Sequence, residues 1–178
     1  MITLVIIIIA IIAYLVGWIQ IDILANKYYK QAMSSYSSGN YTVALKGEKT
    51  FANNPEGYIF TGGFEQVVNA YQSTTAWPKP PVFYKAQKMA NDIINTKLTT
   101  QDAMALYNTY YQVDNDYLPQ ILLHVAQQYQ AQGDNALAYQ TYNLLYNSFP
   151  YNKQATTAQA GMNQLSGSAT LSTSGAAN

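Results

Sequence analysis

The chain has 178 residues with nine Lys, no Arg, nine acidic residues, one His and no Cys, so its net charge is zero and only 10% of it is charged. Against about 25% in ordinary globular chains, that composition excludes an electrostatic grip on nucleic acid, because phosphate neutralisation needs clustered positive charge. The missing cysteine removes disulfides, thiolate nucleophiles and thiolate zinc clusters.

What remains is polar without being charged. Seventeen tyrosines stand among many Gln, Asn, Ser and Thr residues. Such a surface does not repel its own copies, and Tyr adds large, stiff contact area at low entropic cost. The composition points to a protein that packs against itself outside the cell. The length suits about one domain, and the part beyond the apolar start is long enough to bury a core.

Residues 2–21 carry no charge, and Asp22 is the first. As a helix these twenty residues would span about 30 Å, the hydrocarbon thickness of a bilayer. Apolar side chains fall on every face, so no stripe separates core from solvent. Residues 1–25 are therefore expected to form a filament core or a membrane anchor, with Ile2, Leu4, Val5, Ile6, Ile9, Ile12, Leu15, Trp18 and Ile19 as the assembly residues. A signal segment ordinarily opens on a positive stretch, whereas here the first lysines, Lys27 and Lys30, follow the apolar run. Read literally, the positive-inside rule would put the rest in the cytoplasm, in conflict with the composition; one resolution is that a basic leader is removed before Met1. The apolar run, and the helix expected to continue past it, resemble a mature type IV pilin. The chain differs at the fifth position, where most bacterial pilins carry Glu and this chain carries Val5. The resemblance implies a helical homopolymer, with the membrane as partner at least before assembly. The alternative is an ordinary N-terminal anchor.

The helix is expected to continue through Ala32 and to end in the Ser-rich residues 34–40, with Gly39 in the left-handed position after its last turn. A second helix is expected over residues 41–51, broken by residues 53–57. Asn40, Tyr41 and Thr42 form an N-glycosylation acceptor triplet at the tip between the two helices. Residues 64–71 read as helical, and residues 77–81, with three prolines, as a stiff extended connection. Residues 82–96 are amphipathic, with Ala86, Met89, Ala90, Ile93 and Ile94 at helical spacing. Thr99 or Thr100 can cap the next helix.

Leu122, Val125, Ala126, Tyr129, Gly133, Ala138, Tyr142, Leu145 and Pro150 then follow a helix-turn-helix period of about 34 residues. The small Ala126 and Ala138 let two helices approach, Gly133 turns the chain, Tyr129 and Tyr142 fill the groove and Pro150 stops the second helix. This pattern resembles the tetratricopeptide repeat, and Ala32, Gly39, Tyr41, Ala44, Phe51 and Pro55 fall near the same spacing. The separation between Gly39 and Gly133 is 94 positions, no multiple of the period, so one unit is degenerate or interrupted. A further helix over residues 151–165 would cap the last pair, with Ala155, Ala158 and Met162 on one face, as in repeats of periplasmic and envelope proteins. Residues 166–178 form a Ser/Thr/Gly/Ala tail whose composition suits a linker, a disordered end or an O-glycan carrier.

No stretch shows strand alternation with hairpin turns. The expected fold is all-α without a sheet: a hydrophobic helix, a tetratricopeptide-like domain over residues 26–165 and the tail. No catalytic constellation emerges. His124 stands alone among Leu and Val, Asp114 and Asp116 flank Asn115 as turn and cap residues, and no Gly-Lys-Ser/Thr follows Gly62 and Gly63 to make a phosphate loop. The expectation is thus a non-enzymatic structural subunit of an extracellular or cell-surface pilus-like filament, without cofactor or metal, bound to its own copies and carrying glycans. The alternative is a tetratricopeptide adaptor anchored in the inner membrane, with a periplasmic domain serving a bacterial envelope complex.

Overall fold

The uncharged start and the alanine-spaced stretch after it fold as one helix, α1 (Ile2–Ser37). The computed structural model describes residues 2–52, 55, 57–72 and 76–174, with the side chains of residues 168–174 excepted. The fold is all-α, with one two-stranded exception. By their contacts the residues divide into two units, 1–93 and 94–178. These differ from the segments 1–25, 26–165 and 166–178, which follow hydropathy and composition.

In the first unit, α1 packs against α2 (Tyr41–Lys46), α3 (Phe64–Ala70) and α4 (Pro81–Asp92). Gly39 takes a φ of 78° after the last turn of α1, where an L side chain would be strained. Asn40 caps α2, its side chain accepting from the Val43 N–H at 3.4 Å. Ala32 and Ala44 are fully buried. Tyr29 meets Phe64 edge-on, with centroids 5.6 Å apart, and the Tyr36 hydroxyl donates to Asp92 at 2.8 Å. That bond, ahead of burial, raises the Tyr36 pKa, so the phenol keeps its proton.

The expected helix over residues 41–51 is half the length foreseen, and the expectation of no sheet is wrong. Helix α2 stops at Lys46, and β1 (Glu48–Phe51) pairs antiparallel with β2 (Tyr58–Thr61), Glu48 opposite Thr61 and Phe51 opposite Tyr58. The reason lies in two glycines. Gly47 has a φ of 92°, and a Cβ there would stand 2.7 Å from the Thr61 carbonyl. A Cβ on Gly63 would run into the backbone of Gly47 and Lys46. Backbone meets backbone at this point, which only glycine allows, and the chain leaves α2 as a strand. Phe51, expected in a repeat core, is fully exposed in β1. Of the expected breaker 53–57, Pro55 lies in a turn and Gly57 at a bend, while residues 53, 54 and 56 lie outside the described residues.

A π-helical turn, Ile93–Lys97, follows α4 directly. In the second unit, α5 (Thr100–Tyr110) opens on a capping box in which Thr99 and Asp102 satisfy each other's backbone N–H, two donors a helix start would otherwise leave open. Next come α6 (Leu118–Ala131), α7 (Asn135–Ser148) and α8 (Lys153–Ser174), with α6 packed on α5, α7 and α8. Gly133, at a φ of 81°, makes the turn between α6 and α7. Ala126 and Ala138 are fully buried, Tyr142 nearly so, and Tyr129 half-buried. Helix α7 ends two residues before Pro150, which is exposed.

Ala155, Ala158 and Leu165 give α8 its buried face, joined by Gly161; Met162 is half-buried. A Cβ on Gly161 would stand 2.6 Å from the Tyr142 ring, so that glycine sets how closely α8 approaches α7. The composition of residues 166–178 suggests a linker, yet α8 continues through Ser174. Extending an existing helix costs far less than nucleating one, and Ser166 turns its hydroxyl back onto the Met162 carbonyl at 3.0 Å. Residues 175–178 lie outside the described residues.

One packing prediction arises here. Ala126→Leu adds volume where no exposed surface remains, and overpacking of that kind costs about 1–3 kcal/mol. The denaturation midpoint of the variant should fall accordingly; an unchanged midpoint would mean that Ala126 does not limit the helix spacing.

Candidate functional site: an uncovered apolar helix

Helix α1 changes character along its length. Ala25 and Ala32 are fully buried where the rest of the unit packs. Every residue from 2 to 16 is exposed. Of the expected assembly residues, Ile2, Leu4, Val5, Ile6, Ile9, Ile12, Leu15 and Ile19 are exposed on this one continuous helix, and Trp18 is half-buried. Ile9, in the middle, is 60% exposed. Monomeric soluble proteins rarely expose contiguous apolar patches beyond a few hundred Å². Among the described residues this is one helix long and apolar enough to cross a membrane, and no residue of its apolar window is buried inside the fold.

The transition between the two halves is built from side chains distant in sequence. Asp22 accepts from the Tyr71 hydroxyl at 2.9 Å and from Asn26 Nδ2 at 3.1 Å. Burial, and then the bond to Asp22, push the Tyr71 pKa well up, so its phenol remains a donor. One to two turns nearer the N-terminus, the Tyr14 hydroxyl donates to the Trp77 carbonyl and Trp18 Nε1 donates to the Pro78 carbonyl at 3.2 Å. These four partnerships join residues at least 49 positions apart where they link α1 to the 71–78 region. Periodicity within α1 carries no signal for those three long-range bonds.

Neither a protein-family model, nor a curated protein, nor a solved structure matches the chain.

The other candidate residues fall elsewhere. Asn40 is exposed at the start of α2 with its Oδ1 used as a cap. Asp114 Oδ1 accepts from the Asp116 N–H at 3.3 Å, as a turn residue does, but the cap position of α6 belongs to Tyr117, at a φ of 61°. Gly63 serves the close backbone approach already described, and Gly62, at a φ of 79°, lies against the Gln31 side chain. The repeat-core residues divide between the units, Ala32, Gly39 and Ala44 in the first and Ala126, Tyr129, Gly133, Ala138, Tyr142 and Pro150 in the second.

His124 lies within α6, and its Nε2 is buried without a hydrogen-bond partner among the described residues. Burial pulls its pKa below the ordinary 6.5. The unfolded chain therefore takes up the proton at higher pH than the folded one, and stability must fall as pH drops through the unfolded value. Thermal midpoints should be lower at about pH 5 than at about pH 7, with a smaller difference in His124→Gln. An identical pH dependence in both proteins would remove His124 as its source.

Proposed function

We propose that the chain is a structural subunit of an extracellular, pilus-like filament. Its copies assemble through the apolar half of α1, and the residues from Asp22 onward decorate the outside. The observation that carries this reading is a helix apolar on all faces whose residues 2–16 are all exposed. Burying about fifteen such residues between copies would remove on the order of 1500 Å² from water, worth tens of kcal/mol gross at about 25 cal/mol per Å². Conformational and association entropy offset much of that, and the remainder still favours a fibre that comes apart very slowly without detergent. A sparsely charged, Tyr-rich composition supports close packing of the outer parts. The α6–α7 hairpin with its buried Ala126 and Ala138, followed by α8, supports a tetratricopeptide-like reading of the second unit. The exposed Asn40 supports a glycan there, which peptide mass spectrometry would reveal.

A second reading is favoured by length: residues 2–21 match a bilayer, so a membrane-anchored adaptor uses the same helix without assembly. Electron microscopy of material sheared from cells separates the two. Filaments containing this chain support the subunit. A chain that fractionates wholly with membranes, with no filaments, rejects it in favour of the anchor.

A further inference from the structure

The apolar helix is not free along its whole length. The Trp77 and Pro78 carbonyls lie against Tyr14 and Trp18, so only residues 2–13 project beyond the segment 76–81. Twelve residues make about 18 Å of helix, well short of the roughly 30 Å hydrocarbon core. A bilayer crossed by residues 2–21 must therefore also receive the segment beside residues 14–18.

That segment is built for such surroundings. Backbone groups in lipid have no water to bond and must be satisfied within the protein. Pro78, Pro80 and Pro81 have no backbone N–H at all. The carbonyls of Trp77, Pro78 and Pro80 accept from the Tyr14 hydroxyl, from Trp18 Nε1 and from the Phe83 N–H respectively. Ala76 is buried, while the Trp77 ring is 72% exposed. Trp and Tyr favour the boundary between headgroups and hydrocarbon, where an amphipathic ring has both an apolar and a polar neighbour. Lys79 holds its ammonium 4.4 Å from the centre of the Phe83 ring, on a stem long enough to reach the headgroups.

We propose that residues 76–81, with Tyr14 and Trp18, form a collar seated in the interface of a lipid bilayer, the Trp77 ring reaching the headgroup–hydrocarbon boundary. The folded unit is then drawn partway into the membrane and does not hang above it. This rests on α1 entering a bilayer, either as the adaptor's anchor or, as the pilin resemblance implies, before a filament assembles.

The test uses the full chain reconstituted in phosphatidylcholine vesicles. Trp77→Phe leaves the carbonyl that Tyr14 uses and alters an exposed ring, so the difference between wild type and variant isolates the emission of Trp77. That emission should be blue-shifted, and lipids brominated near the glycerol end of the acyl chain should quench most of it, more than lipids brominated near the chain terminus. A water-like emission that neither lipid quenches, in protein that floats with the vesicles, overturns the collar and leaves the membrane reading standing. Protein that stays soluble without detergent and does not float with vesicles overturns both.

Discussion

Ile9→Lys should yield cells without filaments while the folded units persist. Ile9 sits mid-way along the exposed apolar run. In a fibre core its replacement by an ammonium would bury a charge without a partner, a cost far above what one side chain gains by packing. Residues 22–93 have their own buried residues, among them Phe64, Val67, Tyr71 and Ala86, so the detergent-solubilised variant should keep wild-type circular dichroism. In a plain membrane anchor the same change weakens insertion by about 2.5–3.5 kcal/mol at the bilayer centre and leaves no fibre to lose. Electron microscopy of sheared material from both strains reads the difference. Filaments of normal number and length in the variant would remove Ile9 from the assembly core.

Lys46→Met should be among the most destabilising single substitutions in the first unit. Lys46 Nζ lies 3.1 Å from Glu65 Oε1 and 2.9 Å from Oε2, and both side chains are fully buried. The contact of Gly47 with Gly63 brings these two side chains together, since each charged residue adjoins or nearly adjoins one of those glycines. Removing the ammonium strips a buried carboxylate of a charge partner, which costs about 3–5 kcal/mol. Replacing both residues, as Lys46→Met with Glu65→Leu, should recover much of that loss, because a matched apolar pair avoids the desolvation cost of two ions. Denaturant midpoints of the single and double variants form the test. If the double variant is as unstable as the sum of the single changes, the two side chains are not coupled.

Local signals in the sequence located most helix ends. Gly39 and Gly133 turn the chain at the positions their conformational freedom suits, Thr99 caps α5, and an all-round apolar run became α1. The β1–β2 hairpin was not legible, because four-residue strands are too short for alternation to show, and residues 41–51 also satisfy a helical period. Its cause, the Gly47–Gly63 contact, joins residues 16 apart and exists only once the chain has folded. The Lys46–Glu65 pair, 19 positions apart, was not legible for the same reason. The candidate site was legible as composition only. Hydropathy marked residues 2–21, whereas the bonds from Tyr14 and Trp18 to the 77–78 backbone belong to tertiary structure.

In the proposed filament the apolar half of α1 is buried against the same helix of other copies. The chain has no cysteine, so one introduced thiol reports on its own position alone. Single variants Ile6→Cys, Ile9→Cys, Ile12→Cys and Leu15→Cys sample the faces of the exposed run, and a disulfide forms only where two Cα atoms approach within about 7 Å. Oxidation of sheared surface material should give reducible dimers for some of these positions and not for others, as a fixed helical packing requires. Monomers at every position, in protein recovered only with the membrane fraction, would contradict a filament core built from α1.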